Sequence, residues 1–210
     1  LERALADAVD ETARPVADVE RRLVGHLLHQ QLVVAAGHVV DAGEAAEALE
    51  HIVTHTLDGL NARQRQDVVA DSVELPSHLA GHPTLNEQYV SPADISRMVM
   101  KQYCGWWDDV PSHWAPARFD EQAAVVCELA GGSAAVVERA RELASSDPVM
   151  ACHLADWAWF GSDADPTVGR AVIELYTNRI TNTQANTQEA LMYLDHMTDV
   201  QLAIEARQGL

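Results

Sequence analysis

Glu47, His51 and His55 recur at four-residue intervals, with Asp58 close to a further turn along. On a helix that spacing lines them along one face. Two imidazoles and a carboxylate are the donors with which zinc, iron or copper is held, and a carboxylate beside a bound metal can act as ligand or general base. His26 and His29, three apart, or His38 could complete such a set from a neighbouring element, as metal sites in helical bundles are built. The alternative is a solvated polar face opposite Ile52, Val53 and Leu57, and the residues alone leave both open. His78 and His82 share the four-residue spacing, but Gly81 and Pro83 interrupt any helix there.

Other chemistry-bearing residues are less suggestive. Trp106, Trp107 and Trp114 fall in one short stretch that reads either as an apolar ligand pocket or, more in keeping with aromatic clusters in loops, as a plug for the core. Asp108 and Asp109 are adjacent, which suits capping better than paired acid catalysis. Ser133 follows two glycines and opens a helix, the position of an N-cap rather than a nucleophile. The sequence has neither a G-x-S-x-G elbow nor a phosphate-cradling loop. Cys104, Cys127 and Cys152 lack paired spacing and read as reduced, buried thiols.

These residues need elements to place them, and 210 residues with 48% apolar content suffice to build a core. The periodicity predicts helices over Leu1–Thr12 and from Asp18 to Leu28, running to Leu32–Ala36, where a short strand and a helix end look alike. It then predicts a helix from Glu44 to Leu60 that buries Leu49, Ile52, Val53, Thr56, Leu57 and Leu60, and a short one over Arg63–Val73. Ser91-Pro92 caps another through Gln102, Gly105 to Phe119 forms an ordered loop, and four helices start at Asp120, Ser133, Asp147 and Asp165-Pro166. A last helix covers Asn182–Arg207; its stripe of Leu191, Leu194 and Met197 must pack on its own core or across a twofold axis. The fold class is therefore all-α, with antiparallel helical hairpins stacked as in tetratricopeptide proteins, though three 34-residue repeats are not found.

Charge narrows the partners. Thirty-two acidic against 14 basic residues give −18, which repels phosphate backbones and anionic membranes, so nucleic acid is excluded as a partner. Lys101 is the sole lysine. With no apolar run near the ~20 residues of a membrane span and no leader-like opening, a cytoplasmic protein is expected. Secretion stays open because the chain begins at Leu1 without methionine.

Three stretches, taken in order, resemble alkylsulfatases of the metallo-β-lactamase superfamily, in the helical dimerisation domain that follows their catalytic domain. Glu74-Leu-Pro-Ser-His-Leu-Ala80 resembles the E-L-P-x-H-L-A entry to that domain. Tyr103, Gly105, Trp106, Trp107, Asp108, Pro111 and His113 match the pattern Y-x-G-W-[FWY]-D-G-N-P-x-H, with Asp109-Val110 where the pattern has Gly-Asn. Leu129-Ala-Gly-Gly132 and Ala151-Cys-His-Leu-Ala-Asp-Trp157 resemble the helical pairs beyond it.

The resemblance implies a dimerisation scaffold, residues 41–210, preceded by residues 1–40 as an appendage or a remnant of a metallo-β-lactamase-like domain. It implies a homodimer without a cofactor of its own. The H-x-H-x-D-H cluster on which the superfamily's zinc pair depends does not occur in these 210 residues; Ala36-Gly37-His38 alone resembles a metal-ligand loop. Hydrolysis would then need a metallo-β-lactamase-like part on the same chain or on a catalytic partner chain.

Overall fold

The structure is a computed structural model that describes residues 42–82, 85, 87, 89–183 and 185–209. The expectations for His26, His29, His38, the segment 32–36 and the boundary near residue 40 lie outside them. Eight α-helices and one 3-10 turn make up the described residues, and no strand occurs among them. The all-α expectation holds. The chain divides into two compact units, one comprising residues 42–116 with Asn186–Gln188 and the other residues 117–185 and 189–209.

In the amino-terminal unit, α1 (Ala42–Asn61), α2 (Gln66–Asp71) and α3 (Pro92–Cys104) pack on one another. The face of α1 turned inward carries Ala48, Ile52 and Thr56, at four-residue intervals, and then Gly59. This is a narrower stripe than the periodicity suggests, and Leu49 is left half exposed. Gly59 sits where α1 meets α2 so closely that a Cβ would lie 2.6 and 2.8 Å from the methyls of Val69. Thr56 shares a buried 2.8 Å hydrogen bond with Ser96 of α3, which satisfies both hydroxyls away from water. The expected helix over Arg63–Val73 is shorter at both ends, since Arg63 adopts a left-handed φ of 57°.

Ser91 caps α3 as expected: its hydroxyl accepts from Asp94 N at 3.1 Å, and Asp94 Oδ2 accepts from Ser91 N at 2.9 Å. Burial opposes ionisation of Asp94, but those hydrogen bonds and one from the Asn186 amide outweigh it and hold the carboxyl below the usual carboxylate range. Proline at the first helical position completes the start.

In the carboxy-terminal unit, α4 (Phe119–Ala130), α5 (Ser133–Leu143), α6 (Pro148–Phe160), α7 (Pro166–Asn182) and the body of α8 (Thr187–Gln208) enclose one continuous core. Helix α6 packs against α4, α5 and α7, and its Ala151, Ala155 and Ala158 are buried, so small residues allow the close approach. Gly131 and Gly132, at φ 91° and 119°, make the turn between α4 and α5, a backbone path that side-chain-bearing residues avoid. Asp147 and Asp165 cap α6 and α7, each followed by proline, as the sequence indicates.

Two expectations need correction here. Leu194 and Met197, 8% and 0% exposed, belong to the core of their own unit and cannot also line a twofold interface; Leu191, 40% exposed, stays outside it. Asn182 ends α7 rather than starting the last helix. Arg179 Nη1 donates to the Thr183 carbonyl at 2.5 Å, closing α7, and α8 starts at Thr187.

Candidate functional site

Glu47, His51 and His55 do share one face of α1, but each is engaged elsewhere. His78 Nε2 donates to Glu47 Oε1 at 2.8 Å. His51 Nε2 donates to the Glu74 carbonyl at 2.9 Å, and its ring centre lies 6.4 Å from that of His55. The Ser72 hydroxyl donates to the Val69 carbonyl, so its oxygen is left to accept from His55 Nε2 at 3.1 Å. In this hydrogen-bond arrangement both Nε2 atoms are donors, each spent on a contact within the chain. Among the described residues no three His, Cys, Asp or Glu side chains are grouped so as to hold a metal ion.

What this face of α1 does is clasp the segment after α2. Besides the three contacts above, His82 Nε2 and Glu44 Oε2 lie 2.9 Å apart, an ion pair when the imidazole is protonated, although Glu44 Oε2 has no aligned hydrogen bond. His78 and His82 thus find their partners on α1 and not in each other. The spacing of the histidines is legible in sequence; the docking of a non-helical segment onto them is not.

The signature residues Tyr103 to His113 form the exit of α3 and a 3-10 turn over Pro111–Trp114. His113 Nδ1 and Asp108 Oδ2 are 2.6 Å apart, and this contact holds the Asp108 carboxyl below the usual carboxylate range. Asp108 also accepts from Val110 N at 3.2 Å, and Trp107 Nε1 donates to Asp109 at 3.0 Å. The Gln66 amide of α2 holds the Trp107 carbonyl at 2.6 Å, a role with no signal in the sequence. The three indoles pack on one another, with ring centres 5.2 to 6.0 Å apart. Two of them are not a plug for the core, since Trp106 and Trp114 are 64% and 69% exposed, while Trp107 is half-buried. Asp109 takes a left-handed φ of 68°, so it adopts the backbone that the pattern's glycine would take at no cost.

A second polar cluster lies inside the carboxy-terminal unit. Arg179 meets Glu189 through two 2.7 Å hydrogen bonds, the fork-on-carboxylate geometry that suits a largely buried pair. Tyr176 donates to Asp156, and its ring lies edge-on to His196, which stacks on Phe160. Burial pushes Tyr176 and Tyr193 above the ordinary phenol range and the Cys152 thiol up to about 12, so all three stay protonated at neutral pH. An inert thiol and neutral phenols are structural groups, not nucleophiles. In the sequence the clue to this cluster is Asp156, which with His153 interrupts an otherwise apolar helix run.

The comparisons with known proteins agree with the geometry. The sequence profile of the family described as alkyl sulfatase dimerisation matches residues 64–202. A linear primary-alkylsulfatase of a Pseudomonas species is 29% identical over 114 residues, 54% of this chain and 20% of that protein. The solved stereoselective inverting sec-alkylsulfatase Pisa1 from Pseudomonas sp. is similar in fold, with a TM-score of 0.69 at 19% identity, over 77% of this chain and 26% of that one. A double mutant of the same sulfatase gives 0.66 at 20% identity, over 73% and 24%. The chain thus spans about a fifth of the curated relative and about a quarter of the solved structures. Because the match of residues 64–202 takes in most of the helices described above, the chain belongs to the alkyl sulfatase dimerisation family.

Proposed function

We propose that the chain works as a homodimerising scaffold for an alkylsulfatase-like hydrolase, with hydrolysis carried by a metallo-β-lactamase-like part on the same protein or on a partner chain. The observation that carries this reading is the family match over residues 64–202. Two features of the site support it. The polar face of α1 is engaged in holding its own loop segment, and the signature loop presents exposed aromatic surface at Trp106 and Trp114. Residues before about 41 are the proposed junction between scaffold and catalytic part.

The test is solution mass by light scattering at micromolar concentration. A mass of two chains supports the proposal, and a monomer across that range defeats it.

A further inference from the structure

We propose that the signature loop binds a quaternary ammonium group, carried by a small soluble molecule, against the indoles of Trp106 and Trp114 and beside the carboxylates of Asp108 and Asp109. The site does not depend on the dimerisation reading above. It adds a ligand to a loop that the scaffold role leaves without one.

Two kinds of group meet in this loop. The rings of Trp106, Trp107 and Trp114 touch one another, and two of them stay open to solvent. Asp109 Oδ1 accepts from Trp107 Nε1 at 3.0 Å, so a carboxylate sits at the edge of the same ring cluster, with Asp108 next to it in the chain. The contact with His113 holds Asp108 below the usual carboxylate range, which keeps it charged at neutral pH. An indole face attracts a cation held within about 6 Å of its centre, more strongly than a phenol or phenyl face does. Carboxylates beside the ring add to that attraction, and a chain of charge −18 favours cations over anions as ligands. Among the described residues no lysine or arginine forms an ion pair with either carboxylate. Arg97 and Arg118, the nearest arginines in sequence, pair with Asp94 and Asp120.

The carboxylate oxygens select the type of cation. Asp108 Oδ2 faces His113 Nδ1, its Oδ1 accepts from Val110 N, and Asp109 Oδ1 is taken by Trp107, so three of the four oxygens already have a hydrogen bond. They keep their charge but offer few directed lone pairs. A primary ammonium or a guanidinium gives up water on binding and needs acceptors to replace it. A metal ion needs a closer ligand set, and among the described residues no three His, Cys, Asp or Glu side chains provide one. A quaternary ammonium has no N–H to satisfy and an apolar surface, and aromatic sites are the usual means of recognising it. The exposed aromatic rings of the carboxy-terminal unit lack this combination. Phe119 offers a phenyl face, and the carboxylate beside it, Asp120, is already paired with Arg118.

The test is saturation-transfer NMR on the full chain at about pH 8, where an imidazole is neutral, with choline and with dimethylbutanol, its neutral carbon isostere. Choline should bind saturably with a Kd on the order of 1 mM, and the isostere at least about ten-fold more weakly. Added salt should weaken choline alone. Trp106→Leu/Trp114→Leu should abolish choline binding. Asp108→Asn/Asp109→Asn removes the charge while keeping the acceptors of the loop, and asparagine tolerates the left-handed backbone at 109, so this variant tests the site without unfolding it. It should weaken choline at least about three-fold and leave the isostere unchanged. Equal binding of choline and isostere would reveal a plain apolar patch and overturn the proposal. Choline binding unchanged in both double variants would place the ligand elsewhere and overturn it too. So would binding to phosphatidylcholine vesicles without binding to free choline, which would make the partner a membrane. None of these results bears on the mass of the chain, so the dimer stands or falls separately.

Discussion

His78 donates a 2.8 Å hydrogen bond to Glu47, so the carboxylate that helical spacing aligns with His51 and His55 is committed to the segment after α2. His51 and His55 make the same commitment through Glu74 and Ser72. The histidine face of α1 is a clasp. Zinc titration followed by calorimetry should show no heat that is lost on changing Glu47, His51 and His55 together to alanine. Saturable binding at one equivalent that vanishes in the variant would contradict this. Because the Glu47–His78 pair is more than half exposed, Glu47→Ala alone should lower stability by less than about 1 kcal/mol.

Two glycines mark the tightest approaches and should rank in order. A Cβ on Gly161 would lie 2.7 Å from the Ala123 carbonyl oxygen, a backbone atom that cannot rotate away. On Gly59 it would meet the methyls of Val69, itself fully buried. Overpacking of this kind costs about 1–3 kcal/mol, offset at Gly59 by up to about 1 kcal/mol of helix propensity gained on leaving glycine. Urea unfolding should show Gly161→Ala more destabilised than Gly59→Ala. A neutral Gly161→Ala would mean that α6 and α4 sit farther apart.

The Arg179–Glu189 pair should behave as a buried ion pair. Arg179→Met removes one charge, strands the carboxylate, and opens the end of α7 at Thr183, so a loss of about 3–5 kcal/mol is expected. The double variant Arg179→Met/Glu189→Leu should recover part of that loss. Equal losses in single and double variants would show that the pair is not coupled.

Alkaline pH should loosen the carboxy-terminal unit. Burial raises the Cys152 thiol to about 12 and lifts Tyr176 and Tyr193 above ordinary phenols, so the folded state keeps protons that the unfolded state releases. Their contribution is complete below the ordinary thiol and phenol values, near 8.5 and about 10. It is lost as pH rises from there through the folded values. The melting temperature should fall between about pH 9 and pH 12, and Cys152→Ala should delay the onset. A flat profile to pH 12 would contradict the burial of these groups.

Where local chemistry decides, the sequence is a good guide. Ser91-Pro92, Asp147-Pro148 and Asp165-Pro166 each start a helix because an acceptor side chain and a proline act within one turn. Where the partner is remote, residue spacing cannot name it. The periodicity of Leu194 and Met197 says that the stripe is buried, but its own core and a twofold partner make equal use of it. Tryptophans at 106 and 114 carry the same composition whether plugging a core or facing water, and the hydrogen bond from Gln66 that sets the loop spans 41 residues.

The most direct test of the account is the mass of the chain in solution. Light scattering across the micromolar range should give twice the 22.9 kDa chain mass. A constant single-chain mass at every concentration would contradict it.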